Sequence, residues 1–201
     1  MPHVTTTAHA ASSVLVDRLT SQSPSATWMR LAGVVLATAI TALAAQFTSP
    51  LPFTSVPFTM TPMAVLLTGA ALGARRGALA QVMYLAAGVA GLPVFTPSVT
   101  LPPGALRLLG PTGGYLLAYP VAAFVVGMLA ERGWDRRYWT SLAAMLVGLA
   151  IIFLGGVSWM TAAFTHSWTL AAAGGLWPFI AADILKAAAA AMILPRVWRL
   201  V

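Results

Sequence analysis

The sequence has no cysteine and few charged residues. Only 4 of its 201 residues are acidic and 7% are charged, whereas soluble domains carry about 25% charged residues. Without cysteine there are no disulfides or thiolate metal sites, and we expect neither a metal nor a cofactor. Because 59% of the residues are hydrophobic and the mean hydropathy is +0.86, the chain is expected to be a multi-pass protein of the cell (inner or plasma) membrane.

The basic excess is typical of two kinds of protein. A net charge of +7 at first suggests a nucleic-acid-binding protein. In a membrane protein, however, Lys and Arg are enriched in the cytoplasmic loops and report orientation. We therefore expect membrane lipids, and not nucleic acid, around this chain.

Long apolar stretches predict an all-α fold with six transmembrane helices. The predicted spans are residues 28–47, 63–74, 77–91, 112–130, 140–161 and 176–195. Residues 1–27, rich in Thr, Ser and Ala, are predicted to form a disordered cytoplasmic tail, with a short interfacial helix around VLVDRL as the alternative. The membrane domain would then be residues 28–201.

The charges support one topology. Placing both termini in the cytoplasm puts most of the 11 basic residues at the cytoplasmic face. These residues are Arg18, Arg30, Arg75, Arg76, Arg132, Arg136, Arg137, Arg196 and Arg199. The outer half of the protein then holds three charged side chains, Arg107, Asp183 and Lys186.

Asp183 and Lys186 lie inside the last apolar stretch, where charges are costly and usually functional. Their three-residue spacing places both side chains on one helical face. They can neutralise each other and still offer an acceptor and a donor to a polar solute. A buried ion pair that only fixes helix packing is the alternative. With Arg107 the outer half has a surplus positive charge, so we expect a solute with one carboxylate and neutral hydrogen-bonding groups.

Two further segments complete the predicted pocket. GPTGGY, residues 110–115, begins the fourth span; Pro111 suits a first helical turn, and the paired glycines allow close approach of a ligand or a helix. The unpaired N–H groups of that helix start favour an anion. Residues 48–62 carry four prolines, which prevent a regular helix, and are predicted to form an extended segment that covers part of the pocket.

The first span carries a ridge of small side chains. Gly33, Ala37, Thr41 and Ala45 recur every four residues, a spacing that allows close approach of another helix. This small-residue ridge packs either inside the chain or against a partner protein.

Three segments together resemble the BioY family, the biotin-binding S components of energy-coupling factor (ECF) vitamin transporters. They are VPFTMTPMAVLLTGAALGARRGALAQVMYLAAGVAGLPVF at residues 56–95, GPTGGYLLAYPVAAFVVG at residues 110–127 and DILK at residues 183–186. The resemblance implies a six-helix protein, not an enzyme, that captures biotin from the outer side. Its implied partners are a transmembrane coupling protein, which would meet the small-residue ridge, and a pair of ATPase subunits.

The resemblance also implies roles for individual residues. Asp183 and Lys186 would contact the polar end groups of biotin, and Arg107 is proposed to pair with the valerate carboxylate. The residues implied to lie near the ligand at the start of the fourth span are Thr112, Gly113, Gly114 and Tyr115. Aromatic walls are expected from Phe53, Phe58, Tyr84, Phe95 and Trp177.

Other functions remain open at this point. The protein could transport another small-carboxylate vitamin, or transport biotin without partners, and the sequence also allows a homo-oligomer. An intramembrane serine protease would use Ser158, His166 and Asp183. The segment GGVS, however, lacks the GxSG or GxSxG pattern of such nucleophiles.

Overall fold

The computed structural model describes residues 14–20, 25–98 and 101–200 of the chain, and most of them are helical. The longer helices are α2 (Ala26–Gln46), α3 (Thr61–Leu72), α4 (Ala74–Val89), α6 (Gly113–Glu131), α7 (Tyr138–Met160) and α9 (Trp177–Trp198). The shorter ones are α1 (Leu15–Thr20), α5 (Leu106–Leu109), α8 (Trp168–Gly175), a 3-10 turn (Trp134–Arg136) and a π-helical turn (Thr161–Thr165).

Each of the six predicted spans overlaps one of the longer helices, with ends shifted by a few residues. Four segments are long and apolar enough to cross a membrane: Thr27–Gln46, Gly113–Glu131, Tyr138–Thr165 and Trp177–Trp198. Helices α3 and α4 are shorter, with 12 and 16 residues. The protein is therefore a mostly helical, multi-pass membrane protein.

Helices α3 and α4 form a tight hairpin, and glycine makes its turn. Gly73 has a φ of +83°, a conformation that side chains other than glycine rarely adopt. Gly127 of α6 packs directly on this turn, where a Cβ atom would meet the backbone of Gly73 and Ala74. The hairpin therefore fits closely against α6.

The small-residue ridge of α2 packs inside the chain. Ala37, Thr41 and Ala45 are buried, and Thr41 Oγ1 accepts a hydrogen bond of 3.2 Å from Gln81 Nε2 of α4. The same amide donates to Thr68 Oγ1 of α3 at 3.2 Å. The expected partner contact along Gly33, Ala37, Thr41 and Ala45 is corrected accordingly, because small side chains here let α2 approach α3 and α4.

Two small elements add detail to the predicted organisation. Helix α1 lies within the predicted tail, at the VLVDRL segment for which a short helix was the alternative. The rest of the predicted tail, residues 1–13 and 21–24, lies outside the described residues. The fold also includes an antiparallel ribbon of β1 (Thr48–Ser49) and β2 (Phe58–Thr59), which pairs Thr48 with Thr59. The prolines between the two strands prevent a helix there.

Candidate functional site

A cavity of about 570 Å³ lies among the strap segment (residues 47–60), the loop before α6, and helices α6, α7 and α9. Its volume is in the range of small-molecule sites, roughly 300–1,000 Å³. The residues from helices that line it include Tyr115, Leu116, Tyr119, Ile152, Phe153, Phe179 and Asp183. The strap segment and the loop that contains Phe95 and Leu101 supply much of the remaining wall.

The strap segment is fastened at both ends and in the middle. Met60 N donates to Phe47 O at 3.3 Å, next to the β1–β2 ribbon. Thr54 Oγ1 donates to Gly174 O of α8 at 2.6 Å and accepts a hydrogen bond from Val56 N at 3.1 Å. Since Thr54 and its neighbours line the cavity, the prediction that a proline-rich segment covers part of a pocket is confirmed.

Asp183 and Lys186 form a buried ion pair on α9, with Lys186 Nζ 2.5 Å from Asp183 Oδ1. Asp183 lines the cavity. Lys186 lies behind it, donates to Thr59 O of the strap segment at 2.7 Å, and sits 3.8 Å from the centroid of the Phe58 ring. The lysine thus orients the carboxylate and ties the strap segment to α9.

Arg107 of α5 is the second charged residue on the cavity wall. Its side chain is buried, and Nη1 donates to Leu101 O at 3.2 Å. Burial lowers the pKa of the Arg107 guanidinium, and the nearby Tyr84 raises it. Within the part of the chain that the structure describes, no carboxylate forms a salt bridge with Arg107, so this cation can pair with an anionic ligand.

The GPTGGY segment serves two purposes. Thr112 and Tyr115 line the cavity, and Tyr115 OH donates to Gly175 O at 2.7 Å. Gly113 and Gly114 are not on the cavity wall. A Cβ atom on Gly113 would meet Leu108, and one on Gly114 would meet Trp159 of α7. Their expected position beside a ligand is therefore corrected: these two glycines permit close helix packing.

The predicted aromatic walls divide into three groups. Phe95 lines the cavity, while Tyr84 lies one layer behind it, fully buried, with its ring edge-on to Phe95 at 5.4 Å. Phe58 packs under Lys186. Phe53 and Trp177 are 68% and 64% exposed and are absent from the wall, so their prediction was wrong. Such exposure is typical of aromatic side chains at the membrane–water interface.

Several wall residues were missed by the sequence analysis. Tyr119 follows Tyr115 by four residues and Phe179 precedes Asp183 by four, so helical periodicity could have placed them on the same faces. Ile152 and Phe153 lie in a uniformly apolar helix that gives no such signal.

The structure does not assemble the protease triad. Ser158 lies in a separate, open groove between α6 and α7, whereas Asp183 lines the cavity and pairs with Lys186. A serine nucleophile needs its base within hydrogen-bond reach, and the base needs an acid to orient it.

Comparisons with known proteins agree on one family. The family model described as "BioY family" matches residues 18–201. A probable biotin transporter BioY of Pyrococcus horikoshii is 38% identical over 165 residues, covering 81% of this chain and 92% of the relative. The biotin transporter BioY of Thermotoga maritima is 37% identical over 150 residues, covering 75% and 85%.

A solved structure has the same fold. The crystal structure of the S component for biotin from an ECF-type ABC transporter matches with a TM-score of 0.78 at 24% identity, covering 88% of this chain and 94% of that one. Since the relatives are transporters, an enzyme is not favoured. The chain belongs to the BioY family of integral membrane transport proteins.

Proposed function

We propose that this chain is the biotin-binding S component of an ECF-type uptake system. One observation carries the proposal. In a chain of this family, the wall of a mostly apolar cavity includes the carboxylate of Asp183 and the buried cation of Arg107, which forms no salt bridge with any described residue. The protein would capture its ligand from the outer side and perform no chemistry on it.

Biotin suits this distribution of groups. It has one carboxylate, a ureido group that both donates and accepts hydrogen bonds, and an apolar ring. Asp183 would accept from a ureido N–H, and Arg107 would pair with the carboxylate in a charge-assisted contact. The ring would then lie against Phe95, Tyr119 and Phe179.

Thr112 and Tyr115 would contact the ligand from the start of α6. Lys186 and Tyr84 would act indirectly, since Lys186 holds Asp183 in place and Tyr84 supports Phe95. Another small-carboxylate vitamin with neutral polar groups is the runner-up ligand.

The proposed topology has six transmembrane helices with both termini in the cytoplasm. Helix α3, with 12 residues, rises only about 18 Å, less than the roughly 30 Å of a hydrocarbon core. The strap segment precedes α3 and lines the cavity, and irregular backbone at membrane depth is tolerated where it lines a cavity. The orientation is supported by the arginines at the end of the protein away from the cavity.

Uphill uptake would need partners, since the sequence has no phosphate-binding loop for ATP. We assign the energy supply to a coupling protein and ATPase subunits of the ECF type. Because the small-residue ridge is used inside the chain, the coupling protein would contact the opposite face of α2, where Val35, Ala39 and Leu43 are exposed.

A variant pair tests this contact. Ala39→Trp should leave biotin binding in detergent unchanged and reduce uptake in cells that supply the ECF partners. The matched control, Leu154→Trp, changes an exposed position of α7 and should preserve uptake. Equal uptake by both variants would remove this face of α2 from the proposal. Comparing uptake with and without the ATPase subunits tests whether the chain transports biotin alone.

The ligand can be identified directly. Mass spectrometry of small molecules released from the purified protein should detect biotin, and titration of ligand-free protein should show one saturable site. Release of a different vitamin would favour the runner-up. A folded protein that ignores biotin would contradict the proposal.

A further inference from the structure

The 3-10 turn after α6 meets the end of α9 away from the cavity. Asp135 Oδ2 accepts a hydrogen bond of 2.5 Å from Trp198 Nε1, and the Arg136 guanidinium lies 5.0 Å from the centroid of the Trp198 ring. Residues more than sixty positions apart in sequence are thereby joined. We name the arginines around this junction the arginine corner: Arg132, Arg136, Arg137, Arg196 and Arg199.

The two acids of this region, Asp135 and Glu131, hydrogen-bond to groups outside the arginine corner. Asp135 is buried and bound to Trp198, and Glu131 Oε1 accepts a hydrogen bond of 2.9 Å from Ala74 N. In residues 14–20, 25–98 and 101–200, no salt bridge involves Arg132, Arg137, Arg196 or Arg199, and all four are exposed. Four exposed guanidinium groups around this junction, those of Arg132, Arg137, Arg196 and Arg199, therefore have no carboxylate partner among the described residues.

The surroundings of these cations are typical of the depth of lipid headgroups. The corner joins the ends of α6, α7 and α9, three of the helices long enough to cross a membrane. Trp139, in the first turn of α7, is 76% exposed, and tryptophan is enriched at the membrane–water interface. Guanidinium groups bind phosphate in a bidentate manner.

We propose that the arginine corner binds the headgroups of anionic phospholipids. A lipid phosphate would lie between the turn after α6 and the end of α9, with Trp139 alongside at the same depth. This lipid site is separate from the site of ligand capture, because the arginine corner and Asp183 lie towards opposite ends of α9. Each arginine close to the phosphate should raise the affinity for the lipid roughly fivefold.

Native mass spectrometry can test this surface with defined lipids. Detergent-purified protein is mixed with equimolar phosphatidylglycerol and phosphatidylcholine, and the lipid adducts are counted. We expect wild type to retain phosphatidylglycerol preferentially, and Arg137→Gln with Arg199→Gln to lower this preference by about 25-fold. Arg137→Lys with Arg199→Lys should keep most of it, because the charges remain.

The matched control removes the same charge elsewhere. Arg18→Gln with Arg75→Gln changes two exposed arginines at another corner and should keep the preference. Equal losses in both double variants would overturn a local site, since net charge alone would then explain them. Equal retention of both lipids by wild type would also overturn the lipid site. An acidic protein would then be the better candidate partner of the arginine corner. Biotin titration verifies folding, and Arg132→Gln with Arg196→Gln replaces any variant that does not fold.

Discussion

Two ion-pair clusters in this protein have similarly short distances between their charged atoms. They differ in how much of each side chain is exposed to solvent. Asp183 and Lys186 are 7% and 10% exposed along their side chains. Asp17 of α1 pairs with Arg76 at 2.7 Å and with Arg30 at 3.1 Å, yet these side chains are 26%, 30% and 40% exposed.

Because of this difference in exposure, loss of one partner has a different energetic cost in each cluster. Water replaces a lost partner at the Asp17 cluster, so its ion pairs contribute about 0–1 kcal/mol each. At the buried pair, removal of one partner leaves a charge without solvent and costs about 3–5 kcal/mol. The same interaction thus fastens a peripheral helix in one place and holds Asp183 at the cavity wall in the other.

The largest effect is expected at the buried pair. Asp183→Ala should weaken biotin binding by at least about 100-fold, because Lys186 is left buried without its counter-ion and the ligand loses an acceptor. Isothermal titration calorimetry measures this effect. Thermal unfolding of ligand-free protein provides the control, since a folding defect would imitate the loss. Near-normal affinity in folded Asp183→Ala would contradict the assignment.

The next effect depends on the ligand's charge. Arg107→Gln should weaken biotin binding by about 30-fold, the contribution of a charged hydrogen bond of roughly 2 kcal/mol. Biotinamide, which lacks the carboxylate, should lose less than about threefold. Equal losses for both ligands would remove Arg107 from the carboxylate site.

A smaller effect is expected in the strap segment. Thr54→Val removes the hydrogen bond to Gly174 O, worth about 1 kcal/mol, and should speed biotin dissociation by about fivefold. Thr161→Val is the matched control, because its Oγ1 donates within its own helix, to Val157 O at 2.9 Å. Stopped-flow measurement of dissociation would show no difference between the two variants if the strap segment does not retain ligand.

The smallest effect should come from the exposed cluster. Asp17→Asn is expected to lower the free energy of unfolding by less than about 1 kcal/mol, and salt should remove most of the difference by screening. Biotin affinity should not change. A salt-independent loss of binding would show that the two clusters are coupled after all.

The sequence was informative where composition is extreme. Long apolar runs located α2, α6, α7 and α9, and an acid inside the last run identified Asp183 as a cavity residue. Arg107 was found because few charges remain once the basic residues of one face are assigned.

The other features depend on contacts between distant parts of the chain. Lys186 bonds to Thr59 O across 127 positions, which no local pattern predicts. The small-residue ridge gave two packing alternatives, and only the neighbouring helices decide between them. Phe53 and Trp177 could not be distinguished from wall aromatics, because interfacial and cavity positions select the same side chains.

A crystal structure of the protein with biotin would test the central assignment most directly. We predict the ureido group within hydrogen-bond distance of an Asp183 carboxylate oxygen and the ligand carboxylate beside the Arg107 guanidinium. Biotin bound in the reverse direction, or outside the cavity under the strap segment, would contradict the account.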